Sequence, residues 1–143
     1  MIMIITQIVL AINLIMCRVF YTGNIFMKKA NILSIGLNKM GDIEGKKPGI
    51  HAEYDAINKL KNLKQKKHLK SINLLVIRLS KNGKMQNSKP CENCIKTIKF
   101  LPEKKGYKIK KIYYSNYNGE IIKSDIKTLE NEELHYSSFF RRK

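Results

Sequence analysis

Apolar residues fall into blocks along this chain, and their spacing alternates between two periods. Ile72 to Leu79 is nearly continuous apolar sequence, as expected of a strand covered on both faces. Ile32 to Leu37 and Lys108 to Tyr114 read as further strands, with a short one at Glu120 to Ile122 after the turn Ser115-Asn116-Tyr117-Asn118-Gly119. Phe20 to Met27 is mostly apolar and, with Ile32 to Leu37, reads as a hairpin. Between these runs the period changes. Ala52, Ala56, Leu60 and Leu63 recur at three- and four-residue steps, which predicts a helix over Ile50 to Leu63 with Asp55 and lysines on its outer side. Cys91, Cys94, Ile95 and Ile98 share one face of a second helix, expected to stop at Pro102. Ser124 to Leu134 reads as a last helix capped by Ser124.

Two stretches have other readings. Met1 to Cys17 carries no charged side chain, and fits a core-packing helix, a membrane anchor or a start-site artefact. It lacks the basic start and small-residue cleavage site of a signal peptide, and is short and interrupted for a spanning helix. Were it inserted, Arg18, Lys28 and Lys29 would keep the C-terminal side of the chain in the cytoplasm. Asn38 to Pro48 shows no periodicity and reads as a loop; Lys64 to Lys70 is a basic linker in which His68 is expected to be exposed. No internal repeat is evident. Residues 1–19 form the hydrophobic N-terminal helix or anchor, and residues 20–143 one domain. The alternation of strands and helices implies an α/β protein with helices on both faces of a sheet of about five strands.

Composition sharpens this picture in two ways. Only three cysteines are present among 143 residues, an odd number that speaks against a disulfide framework and favours a reducing, cytoplasmic compartment. The formal charge of +17 attracts polyanions, so nucleic acid is a natural partner; equally, the abundance of Lys, Ile and Asn fits an A/T-rich coding sequence.

The chemistry-bearing residues sit at the two helix starts. Gly49-Ile50-His51-Ala52-Glu53 offers a histidine and a carboxylate, and Lys89-Pro90-Cys91-Glu92-Asn93-Cys94 offers two thiols one turn apart. His51, Cys91 and Cys94 make three ligands suited to Zn2+, leaving a fourth tetrahedral position open, as in catalytic rather than closed structural sites. Glu53 is too close to His51 in sequence to be a natural fourth ligand and is well placed to move protons. Taken singly, the pieces have plainer readings: buried thiols, a redox pair, half a structural zinc site. Together, His-x-Glu and Pro-Cys-x-x-Cys form the pattern of zinc nucleobase deaminases.

With Ile35-Gly36-Leu37-Asn38 ahead of them, these motifs resemble the zinc-dependent cytidine and deoxycytidylate deaminase superfamily over Phe20 to about Leu129. The resemblance implies a three-layer α/β/α fold with a mixed central sheet, and a catalytic domain over residues 20–143. It implies zinc on His51, Cys91 and Cys94, Glu53 as proton shuttle, and substrate contacts from Asn38, the Ala52 backbone N–H and Ser88. The chain differs from free-cytidine deaminases in having His51 where they carry cysteine, and from deoxycytidylate deaminases in its short loop before His51. Unlike tRNA adenosine deaminases, it places Ser80 to Ser88 between strand and Pro90. The substrate thus stays open among a nucleoside, a nucleotide and single-stranded nucleic acid, as does homo-oligomerisation. A non-catalytic, zinc-stabilised nucleic-acid-binding module is the competing reading. Tyr113, Tyr114 and Tyr117 flank the polar turn after the fourth strand; beside lysines they suit base stacking, or else Tyr113 packs in the core.

Overall fold

The computed structural model describes residues 6–14, 30–39, 49–64, 67–80 and 82–132. Its strands are β1 (Thr6–Leu14), β2 (Ala30–Leu37), β3 (Lys70–Leu79), β4 (Met85–Gln86), β5 (Tyr107–Ser115) and β6 (Ile121–Ser124). The helices are α1 (Ala52–Asn58), α2 (Glu92–Lys104) and α3 (Ile126–Asn131). The protein is α/β, with one mixed sheet in the order β2-β1-β3-β5-β6 and the two-residue β4 beside β3.

The first apolar block is a correction to the sequence reading. Thr6–Leu14 is neither a helix nor a separate segment ahead of the domain, but a strand hydrogen-bonded on both sides, to β2 and to β3. Apolar runs of this length look alike whether they become buried helices or central strands, and Thr6, Ile8, Val9 and Ile12 are β-branched, which favours the strand. β2 pairs with β1; Phe20 to Met27, expected to form a hairpin with it, lies outside the described residues, as does most of the Asn38 to Pro48 loop. None of the described helices is long and apolar enough to cross a membrane.

Strand directions decide where the helices begin. β2 and β3 both run antiparallel to β1, hence parallel to each other, with α1 in the crossover between them. β3 and β5 are also parallel and are joined through α2. Such crossovers are right-handed almost without exception, which puts both helices on the same face of the sheet. There α1 packs on β2 and β1, α2 on α1 and β5, and α3 on α2. Ala52, Ala56 and Ile57 of α1, Ile95 and Ile98 of α2 and Leu129 of α3 share one core with Ile72, Leu74 and Val76 of β3 and Ile109 and Ile112 of β5. An irregularity in the β3–β5 register, opposite Ile72 and Asn73, lets Ile109 and Ile112 face the same core despite their odd spacing. Among the described residues the helices thus occupy one face of the sheet, where the sequence pattern implies both.

Close approach of α1 to β2 depends on Gly36. A Cβ there would overlap the Ala52 carbonyl oxygen and the Ala56 backbone nitrogen, so only glycine lets the helix lie this near the strand. Ser34 then donates from Oγ to the Ala56 carbonyl at 2.7 Å.

Helix ends also differ from expectation. α1 stops at Asn58, not Leu63, because the carbonyls beyond its end are taken by distant groups: Lys105 Nζ donates to Asn58 O and Leu60 O, and Tyr107 Oη to Lys61 O. α2 runs through Pro102 to Lys104. The proline ring is fully buried, and Gly106, at φ +90°, turns the chain out of the helix. α3 is capped by Asp125 and not by Ser124; the Asp125 carboxylate accepts from the Thr128 N–H.

Candidate metal centre

The sheet brings the two motifs together. α1 follows β2 and α2 follows β3, two parallel strands, so both helices start at the carboxyl end of the sheet, the usual place for a ligand site in α/β proteins. His51 is the N-cap residue of α1 and Cys91 that of α2, and neither uses its side chain to cap its own helix. Those side chains meet each other instead. His51 Nδ1 lies 3.0 Å from Cys94 Sγ and 3.6 Å from Cys91 Sγ, and the three candidate ligand atoms all fall within 4.8 Å of one another. Metal bonds of ordinary length around a tetrahedral zinc place neighbouring ligand atoms roughly 3.5–3.8 Å apart. The nitrogen–sulfur–sulfur set therefore fits a metal ion with only small adjustment. His68, by contrast, is exposed and takes no part.

The protons on this cluster show the same tension. Hydrogen bonding from Cys94, and then from His51, pulls the Cys91 thiol down to about 4. Cys94 is pushed up, first by that same hydrogen bond and then by burial. The Cys91 thiolate in turn raises His51, against the effect of burial. Two sulfurs and an imidazole are thus sharing protons that a divalent cation would displace.

Glu53 stands directly behind them. Only 2% of it is exposed, its carboxyl hydrogen-bonds with the Cys94 sulfur, and burial raises its pKa above the ordinary carboxylate value. A carboxylate in dry surroundings beside a sulfur anion is costly unless positive charge is nearby.

The remaining expected site residues have distinct positions. Asn38 is exposed just past β2, and its Oδ1 accepts the Ala52 N–H at 2.8 Å. These two groups are thus joined to each other, next in the chain to His51. Ser88 is turned inward: its hydroxyl donates to Val76 O at 2.8 Å and accepts from the Ser115 N–H at 2.8 Å. With the Ser88 N–H donating to Ser115 O, it clamps the segment before Pro90 to β3 and β5. Of the tyrosines, Tyr114 and not Tyr113 is the core residue, while Tyr117 is exposed.

Asp55, expected on the outer side of its helix, is buried instead. Its carboxylate accepts from the Leu37 N–H at 3.1 Å and pairs with Lys39 at 3.0 Å and Lys59 at 2.6 Å. Only the Lys59 pairing, at i and i+4, is visible in the sequence. The other two bonds fasten α1 to the end of β2, and the reciprocal Lys39–Ile50 backbone bonds, each 2.9 Å, complete the fastening next to His51. Hydrogen bonding from Lys59 foremost holds Asp55 at about 2, below its ordinary 3.8. Its contribution to stability is therefore fully present above about pH 5 and lost as pH falls through 4 towards 2. Because both lysines are about half exposed, on the order of 1 kcal/mol is at stake. Urea midpoints of the parent and Asp55→Asn, with chelator throughout, are expected to differ at pH 6 and to draw together as pH falls towards 2. A gap that stayed constant would assign the difference to something other than this carboxylate.

Comparison with known protein families, with characterised proteins and with solved structures finds no match to this chain. Its chemistry is read from the site itself.

Proposed function

We propose that the protein is a zinc-dependent hydrolytic deaminase of the cytidine deaminase-like type, acting on a nucleobase and most readily on cytosine. The observation that carries this reading is Glu53: a buried carboxyl against a cluster of three ligands, not itself needed as a fourth. His51, Cys91 and Cys94 would hold the ion. When bound, zinc supplies Lewis acidity that makes hydroxide available from water near neutral pH. Glu53 accepts the proton of that water and passes it to the ring nitrogen beside C4. It then carries a second proton to the leaving amine, so that water and the amino base become the oxo base and ammonia. The raised pKa of Glu53 suits a group that must both take and give a proton. A three-layer arrangement around the same sheet belongs to this reading.

A non-catalytic zinc-stabilised module has no use for that carboxyl. An apolar residue would fill the space without the desolvation cost. The test is an ammonia-release screen of the zinc-loaded protein against cytosine and adenine nucleosides, nucleotides and single-stranded oligonucleotides. Release from at least one of them is expected. Silence from all of them, with zinc bound in full, would discard the reading.

A further inference from the structure

The end of the sheet away from the metal centre has a charge pattern of its own. His51 and Cys91 follow the carboxyl ends of β2 and β3, whereas Lys70 opens β3 and Tyr107 opens β5. The loops leading into β3 and β5 therefore lie side by side at the opposite pole. They are knit into one surface. The Leu63 N–H donates to Lys105 O at 3.0 Å, and the Lys70 N–H to Gly106 O at 2.9 Å. Lys105 Nζ reaches back to Asn58 O at 2.9 Å, and Tyr107 Oη to Lys61 O at 2.9 Å. On this surface stand Lys61, Lys64, Lys67, Lys70 and Lys108, all exposed.

Acidic residues do not balance them. The sequence from Asp55 to Glu92 holds no acid in between, and Glu103 is the one acid between Glu92 and Glu120. Among the described residues the ion pairs use Lys39, Lys59, Lys89, Lys96, Lys99 and Lys111, and so none of these five. Gathering unpaired like charges works against the folded state, and a negatively charged partner offsets it. The kind of partner follows from what the pole lacks. Tyr107 is the one Phe, Tyr or Trp within 60–70 and 103–110, and it is only 4% exposed, with its hydroxyl turned inward. Single strands are held by exposed rings, and duplexes are read by an element that enters a groove. These two loops supply neither. A cluster of flexible ammonium groups suits mobile anionic headgroups, which can gather beneath it without a fixed geometry.

We propose that this pole docks the protein on a membrane surface rich in anionic lipid headgroups, through Lys61, Lys64, Lys67, Lys70 and Lys108. The metal centre, at the far end of the sheet, then faces the aqueous phase. This docking does not depend on the reaction at that centre. Salt weakens it, because exposed charges more than a Debye length apart are screened.

The experiment sediments the zinc-loaded full chain with vesicles of phosphatidylcholine, alone or mixed with an equal part of phosphatidylglycerol, at about 10 and 150 mM salt. Lys64→Gln/Lys67→Gln and Lys70→Gln/Lys108→Gln each remove charge from the pole. Lys84→Gln/Lys123→Gln removes the same charge elsewhere, from the turn after β3 and from β6. All six positions are exposed, so the fold should be kept. A lysine near an anionic surface is worth about fivefold in partitioning, so each pole variant is expected to bind the mixed vesicles about 25-fold more weakly at low salt. The Lys84/Lys123 variant is expected to stay close to the parent, and vesicles of phosphatidylcholine alone to bind neither. An equal loss in the Lys84/Lys123 variant would assign binding to net charge and overturn the proposal. Equal binding to both kinds of vesicle, or binding to neither, overturns it too. So does pole-dependent binding of a labelled DNA or RNA duplex or strand without vesicle binding, which would make the partner a nucleic acid.

Discussion

Glu53→Gln is expected to abolish most turnover while leaving the fold and the metal in place. General acid–base help alone contributes about 10²–10⁴-fold, and here one carboxyl performs both halves of the proton transfer. The effect on stability should run the other way. Glu53 is fully buried among sulfurs with its pKa raised by desolvation, so the neutral amide removes an energetic burden. Loss of activity with unchanged zinc content and an equal or higher melting temperature is a combination that simple damage to the core does not produce. Parent-like turnover by this variant would show that another group carries the proton.

Removing a ligand should do the opposite. Cys91→Ser and Cys94→Ser are each expected to lose the metal, and with it the stabilisation that binding confers on the folded chain. At free zinc a hundred- to a thousand-fold above Kd, that stabilisation is about 2.7–4.1 kcal/mol. The comparison is best made with and without a chelator. If the two sulfurs are ligands, the gap between parent and variant closes once zinc is withdrawn, because serine replaces buried cysteine at little steric cost. If they are only core thiols, the gap is the same in both conditions. Full zinc occupancy in both variants would refute the ligand assignment.

These two outcomes concern residues that can be read in the sequence, and the reason is local. Cys91 and Cys94 are one helical turn apart, so their sulfurs share a direction, and His51 and Glu53 both fall at the start of one helix. The periodic blocks that form β3, α2 and β5 are legible for the same reason, since a core-facing helix or strand repeats its apolar positions at its own period.

The tertiary structure decided matters that depend on partners far away in the chain. Thr6–Leu14 is a strand because β2 and β3 flank it; its β-branched residues favour that outcome but an apolar run of this length does not decide it alone. α1 ends early because Lys105 and Tyr107 claim the carbonyls beyond it. Asp55 is buried because Leu37 and Lys39 reach it, and Ser88 turns inward because Val76 and Ser115 offer it partners. The convergence of the two motifs is of this kind as well. Sequence specifies the ligand types and their spacing within each helix start, since those follow from backbone geometry over a few residues. That His51 comes within 3.0 Å of Cys94, 43 residues away, follows from the parallel course of β2 and β3 and the one-sided packing of α1 and α2, which only the assembled sheet imposes.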